Sequence, residues 1–326
     1  MNHKLYIRKK LISECIHYCI HLLHFNADIN TISDIDKFKY VILRNNHVIE
    51  KGMSLRQTRK DFGDKKVLSL IQQLQSFDKF YGIEDPSFLD YPTSTIAKFI
   101  EFRKSSGTLT QELEDSFSQY LRHRNNPFSK IEAGVSLTNK EDVINHTLFD
   151  FDRFVRSRHS IRYFSKTVPT KEEIEKALSL ASHTPSACNR QGWKTHIFWQ
   201  DGLCKLLDWQ GGCEGFKREI PCAILVTENS KAFLHYEAFQ AYVDGGFYAM
   251  SLVYALHSLG LGTIPLSCGF GYKKLKSLHQ MFAIPDNEVP IVIIGVGHYE
   301  DTFKVAVSHR TPIERTNTFH ELCKSR

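Results

Sequence analysis

EAFQAYVDGGFYAMSLVYALHSLGLG, residues 237–262, is the stretch from which the fold can be read. From Glu237 to Leu259 apolar residues occur almost all round the helical period, the pattern of a helix buried centrally rather than laid on a surface. Gly260-Leu261-Gly262 ends it, as glycine commonly does after a last helical turn. Short β-like runs lie on both sides. Thr195 to Trp199 and Ala223 to Thr227 read as strands, and Pro290 to Val296 is a fully apolar strand of the buried kind. Tyr272 to Phe282 is amphipathic through Leu275, Leu278 and Met281. Thr170, with Glu173 three residues later, carries the reciprocal capping pattern of a helix running to Ser182. Helices and strands in this mixed order support an α+β or α/β arrangement around a central sheet.

Outward from that core, the first 145 or so residues have a different texture. Val67, Leu68, Leu70, Ile71 and Leu74 recur at helical spacing, as do Ile96, Phe99 and Ile100, and then Leu113, Phe117, Tyr120 and Leu121. Breaks fall at Gly82 to Pro92, with two prolines, and at Asn125 to Asn139, where Pro127 and Gly134 sit among polar residues. The length of 326 residues suggests two units. The expected division is a helical region, 1–145, followed by a mixed domain, 146–326.

The charge balance is +6 with acids and bases interleaved, which gives no reason to expect a nucleic-acid partner. Arg122-His123-Arg124 and Lys273-Lys274 read as solvated faces. The cysteines form no Cys-x-x-Cys pair, which argues against a zinc ribbon or thioredoxin-type site and fits reduced thiols in a cytoplasm. Lys4, Arg8, Lys9 and Lys10 precede an apolar stretch, but Glu14, His17 and His21 interrupt it and no small-residue cleavage site follows. A soluble protein without a transmembrane segment is the expectation.

Three runs carry the chemistry. In Arg158-His159-Ser160-Ile161-Arg162, an extended backbone would project Arg158, Ser160 and Arg162 from one face, where forked guanidinium donors and a hydroxyl suit an anion. Surface ion pairs explain the same spacing. Thr184 to Trp193 combines a proline turn with hydroxyl and amide groups able to bond a polar ring edge, or is a plain helix-to-strand connection. Leu259 to Gly269 lets backbone approach a flat ligand, and a helix cap followed by a strand accounts for it equally. Neither Gly-x-Gly element completes a dinucleotide fingerprint.

Taken in order, these elements resemble the nitroreductase family of FMN enzymes, over about Phe151 to His320. The resemblance rests on Arg-x-Ser-x-Arg, the Pro-Ser-x-x-Asn-x-Gln loop, the Asp244-Gly245-Gly246 helix ending in Leu-Gly-Leu-Gly, the Pro285 turn with its glycine-ended strand, and Arg310. It implies a three-layer α+β sandwich with a mostly antiparallel sheet, preceded here by a mainly helical region, and an intertwined homodimer. It also implies that Arg158, His159, Ser160 and Arg162 hold the FMN phosphate and ribityl chain, with Arg310 closing from the C-terminal side. Pro185, Ser186, Ala187, Asn189 and Gln191 would reach the twin subunit's flavin, while Pro265, Leu266 and Ser267 would lie along the ring. Lys217 or Arg218 would face its N1–O2 edge. The implied reaction is ping-pong two-electron transfer from NAD(P)H to a small conjugated or nitroaromatic acceptor, without a catalytic side chain or metal; the cofactor carries the chemistry.

This chain departs from the family pattern at Gly192, where proline often precedes the tryptophan, and at Ser267, where some members carry an acid. His47 to Gly52 followed by Asp61-Phe62-Gly63 resembles a helical extension of nitroreductase-like proteins from surface-polysaccharide gene clusters. Alternative readings are a flavin enzyme that dehalogenates or fragments flavin, and a flavin-holding scaffold in such an assembly pathway. Gly245, Gly246 and Ala249 read as packing residues. His17, His21 and His24 with Cys15 and Cys19 read as ordinary helix residues before metal ligands, and His47 with Glu50 as an intrahelical pair.

Overall fold

The computed structural model describes residues 3–28, 30–55 and 63–320. The Asp61-Phe62 part of the extension motif lies outside the described residues. Helices α1 (His3–Phe25), α2 (Ile35–Met53), α3 (Asp64–Tyr81), α4 (Asp90–Ser105), α5 (Gln111–His123) and α6 (Lys140–Asn145) come first. They are followed by α7 (Phe151–Ser157), α8 (Lys171–Ala181), β1 (Trp193–Phe198), α9 (Gln200–Gln210), β2 (Cys222–Asn229), α10 (Gln240–Ser258), β3 (Leu261–Ser267), α11 (Tyr272–Phe282), β4 (Glu288–His298) and α12 (Ile313–Thr316).

Helices α2 to α5 close around a core of their own. Ile42, Ile49, Leu70, Leu74, Ile96 and Phe99 are fully buried in it, each worth about 1.5–3 kcal/mol relative to exposure. Two details differ from the sequence reading. Pro92 does not extend the break after Gly82; it sits in the first turn of α4, where a missing N–H costs no intrahelical bond. Arg124 is not on a solvated face: its side chain is 1% exposed and bonds Asp90 at 3.1 Å. Lys274 is likewise half-buried, 3.7 Å from the centre of the Phe270 ring.

The four strands form one antiparallel sheet in the order β1-β2-β4-β3. Every residue of β2 is buried, as its run of apolar residues requires of a central strand covered on both faces. One face packs Leu225, Ile264 and Ile293 against α9 and α11 through Leu206 and Leu278. The other packs Ile224, Val226 and Ile294 against α8 and α10 through Ala177 and Leu252. The result is a three-layer helix–sheet–helix sandwich preceded by a helical region.

Thr170 and Glu173 make the reciprocal cap of α8, with Glu173 N–H donating to Thr170 Oγ1 and Thr170 N–H donating to the Glu173 carboxylate. α10 begins at Gln240 rather than Glu237, because a separate turn at His235–Glu237 precedes it. Gly260, at φ +77°, makes the left-handed step into β3. α10 is not buried all round. Tyr248, Leu252 and Leu256 face the sheet and Ala241 packs with Ala232 and Phe233, while Val243, Phe247 and Met250 are 40–54% exposed.

The helical region is fastened to the sandwich by specific bonds. Lys231 pairs with Asp34 at 3.0 Å and Asp36 at 3.3 Å, and His235 Nδ1 lies 2.6 Å from Asp28. Among the described residues, no helix is long and apolar enough to cross a membrane.

Candidate functional site

After α7 the chain turns extended at Arg158, φ −75° and ψ 121°. It then runs beside β3, where Ile161 N–H donates to Thr263 O at 2.9 Å and Ser160 forms a parallel bridge with Thr263. Ile161 and Phe164 are buried anchors in the α9–α11 side of the core. Arg158, His159, Ser160 and Arg162 are left half-buried beside that edge. No hydrogen bond or ion pair ties the side chains of Arg158, Ser160 or Arg162 to another described residue. Arg162 instead lies 5.8 Å from the Phe216 ring centre. Half-buried guanidinium groups without a carboxylate partner are unusual, because desolvated charge is costly unless it is paired.

The neighbourhood of Arg158 is electropositive. Burial, followed by the charges of Arg158 and His159, pushes the His257 imidazole below its ordinary range. His257 Nδ1 lies 3.0 Å from Tyr299 Oη, and its Nε2 lies 2.9 Å from Ser157 Oγ. Sequence reading overlooked His257, since a histidine in the last turn of a helix is ordinarily a C-terminal charge partner.

Along β3, Pro265 and Ser267 are exposed while Leu266 is buried in the core. The strand's two-residue alternation thus turns Pro265 and Ser267 outward and leaves Leu266 able to meet a ligand only through its backbone. Lys217 is held by Asp208 and Glu214. Arg310 is exposed in the C-terminal segment, where it donates to Ser308 O at 2.8 Å. This chain by itself does not bring Arg310 into contact with Arg158.

The loop from Pro185 to Gln191 is a strained, clamped structure. Cys188, Asn189 and Gln191 all adopt positive φ, 51–52°, each an arrangement that costs about 1–3 kcal/mol unless its surroundings impose it. Arg190 imposes it from within: its side chain is 1% exposed, and its guanidinium donates to both Glu237 oxygens and to Ala187 O and Ala232 O. Asp244 imposes it from α10, accepting Ala187 N–H at 2.9 Å. Ser186 Oγ accepts the Gln191 N–H at 3.0 Å.

Under the loop lies Glu228, fully buried, with no hydrogen-bond partner for either carboxyl oxygen among the described residues. Burial first, then the charge of Asp244, raise it to about 9 against the pull of Arg190, so it is neutral at pH 7. A Cβ on Gly192 would come 2.6 Å from Glu228 Oε1, which accounts for glycine there. Gly245 is explained by packing too, since its Cβ would meet Ile291 at 2.6 Å; Gly246 faces open space.

Pro185, Ser186 and Asn189 share a cleft of about 860 Å³ with His47, Glu50 and Tyr91. Glu50 accepts hydrogen bonds from Tyr91 Oη, Thr95 Oγ1 and Gly134 N–H and lies 4.0 Å from His47 Nδ1. The helical region therefore abuts the loop instead of facing away from it. Among the described residues no three His, Cys, Asp or Glu side chains are grouped to hold a metal; His17 stacks on Tyr272 and His21 bonds Ser230 Oγ.

A mixed sandwich with an antiparallel sheet, an arginine-rich edge beside its last-placed strand and a clamped polar loop defines the class. Residues 155–298 match the model of the nitroreductase family. The chain is 25% identical over 150 residues to a protein of Archaeoglobus fulgidus named provisionally as an NADH dehydrogenase/NAD(P)H nitroreductase, a match covering 46% of this chain and 85% of the relative. A like-named protein of Methanothermobacter thermautotrophicus is 23% identical over 146 residues, 44% of this chain and 74% of that one. Among solved structures, a provisionally named nitroreductase of Desulfovibrio desulfuricans in complex with FMN is similar at TM-score 0.45 and 20% identity, covering 52% of this chain and 96% of the other. The sandwich of this chain is a nitroreductase-family domain.

Proposed function

We propose that this protein is an FMN-dependent oxidoreductase that moves two electrons from NAD(P)H to a small conjugated or nitroaromatic acceptor, in two half-reactions of ping-pong type. The observation that carries the reading is the pair of half-buried arginines, Arg158 and Arg162, flanking the unbonded Ser160 hydroxyl with no anionic partner among the described residues. A phosphate supplies the missing counter-charge and accepts from all three groups. FMN, when bound, supplies the redox chemistry.

The remaining roles belong to the chain. Arg158, Ser160 and Arg162 bind the phosphate and ribityl end, with His159 beside them. Pro265 and Ser267 present an outward surface to the ring, and the backbone at Leu266 and Ser267 positions its edge. The loop bearing Pro185, Ser186, Ala187, Asn189 and Gln191 serves the twin subunit's site, kept in shape by Arg190 and Asp244. Arg310 closes on the phosphate when the C-terminal segment embraces a twin. The bare apolar face of α10, with Val243, Phe247 and Met250, supports a homodimer, because a contiguous exposed apolar stripe marks an interaction surface. Residues 1–145 form the helical unit and 146–326 the flavin domain, in a cytoplasmic protein.

The visible spectrum tests this directly. The purified protein is expected to show flavin bands that bleach on anaerobic addition of NAD(P)H and return with a nitroaromatic acceptor. A colourless protein that stays colourless after incubation with FMN defeats the proposal.

A further inference from the structure

A second cavity, apart from the arginine edge, lies between the first helix and the sandwich. It has a volume of about 460 Å³, within the range of small-molecule sites. One wall is α1 and the other is built from α10, α11 and the start of β4.

The α1 wall is fastened in place at several points. Glu14 accepts Tyr272 N–H at 2.7 Å, the Tyr18 hydroxyl donates to Ala238 O, and His21 Nε2 lies 2.7 Å from Ser230 Oγ. His17 stacks on Tyr272 with ring centres 3.9 Å apart and planes 7° from parallel. The cavity is therefore a built feature of this chain's extension.

Its chemistry is specific. Tyr18, Phe25, Tyr242, Phe270 and Tyr272 line it, with one face of Tyr272 taken by His17 and one face of Phe270 by Lys274. It is lined by three carboxylates, Glu14, Asp286 and Glu288, one ammonium, Lys276, and four imidazoles, His17, His21, His24 and His279. Glu288 is engaged with His196 and Thr227, and Glu14 with Tyr272 N–H. Asp286 is exposed at the rim, and no hydrogen bond or ion pair commits its carboxylate among the described residues. Burial, then His279 and His24, hold His21 down to about 4, so its imidazole adds no positive charge at neutral pH. π-Faces and excess carboxylate both attract a cation spread over a flat ring.

We infer that this cavity binds a flat aromatic molecule carrying a basic nitrogen, held among α1, α10 and α11 with its charge toward Asp286. The site needs no residue of the arginine edge, so it stands or falls separately from the flavin reading. Ser267 pairs with Val292 two residues beyond Pro290 of the cavity wall, so the occupant lies at the same end of the sheet as the outward-facing Ser267.

Calorimetric titration of the full chain with 4-aminoquinoline, and with quinoline-4-carboxylate as its anionic counterpart, tests the inference. Expected are one saturable site for the amine, at least tenfold weaker binding of the carboxylate, and at least a tenfold loss for the amine in Asp286→Lys. Asp286 is exposed, so an unchanged melting temperature should accompany that loss. Tyr242→Ala should weaken the amine by a similar factor by removing an aromatic face. Absence of saturable binding, equal binding of the two probes, or amine binding unaltered in both variants overturns the inference.

Discussion

Arginines in the two regions of this molecule are treated in opposite ways. In the helical region, Arg103 and Arg124 are almost fully buried and each meets a carboxylate, Asp64 at 3.0 Å and Asp90 at 3.1 Å. In the sandwich, Arg158 and Arg162 are half-buried and meet none among the described residues. Desolvating a cation is costly in both places, and in the first the fold itself offsets that cost. In the second the offset has to come from elsewhere. Pairing, more than exposure or spacing, separates an arginine that holds a fold together from one we propose to hold a ligand. Arg190 shows that this is not a property of the region: it lies within the sandwich, is engaged by Glu237, and shapes the loop.

This contrast yields opposite mutational phenotypes. Arg158→Ala should weaken FMN binding by about a hundredfold, near 3 kcal/mol for lost charge-assisted bonds, while leaving the melting temperature of the flavin-free protein unchanged; flavin fluorescence quenching reads the first and calorimetry the second. Arg124→Ala should do the reverse. It leaves Asp90 without its buried partner and should cost about 3 kcal/mol of stability, with FMN affinity per folded molecule unaltered in denaturant and flavin titrations. Loss of flavin in both, or in neither, would erase the distinction.

A pH-dependent effect concerns the buried acid Glu228, which has no hydrogen-bond partner among the described residues. Glu228 titrates near 9 in the fold and at about 4.5 when unfolded, so between those values the folded state binds the extra proton. Its contribution to stability is therefore fully present below about pH 4.5 and declines as pH rises toward 9, by at most about 1.4 kcal/mol per pH unit. Glu228→Gln should flatten that decline and raise stability at pH 8, as measured by urea unfolding across pH 5 to 9. An unchanged slope would mean that Glu228 is ionised and paired.

Much of the sandwich was legible because its elements are written locally. The Thr170–Glu173 cap, the apolar run of β2 and the Gly260 stop each declare themselves within a few residues. The Arg-x-Ser-x-Arg segment was legible as an anion-binding candidate, but spacing could not distinguish it from a surface ion pair. That distinction depends on which carboxylates the fold brings near, and these are remote in sequence. Glu237 lies 47 residues from Arg190, Asp90 lies 34 from Arg124, and Glu228 sits under a loop reached only through strand pairing. The same remoteness hid the contact of Glu50 and Tyr91 with the Pro185 loop and the closure of α1 over its cavity.

Equilibrium titration of the flavin-free protein with FMN and with riboflavin, which differ only in the phosphate, tests the central claim most directly. FMN is expected to bind about a hundredfold more tightly, with the preference falling sharply in Arg158→Ala and again when Arg162 is also replaced by alanine. Equal affinity for the two flavins, or a preference for FMN that survives removal of both arginines, would contradict the assignment.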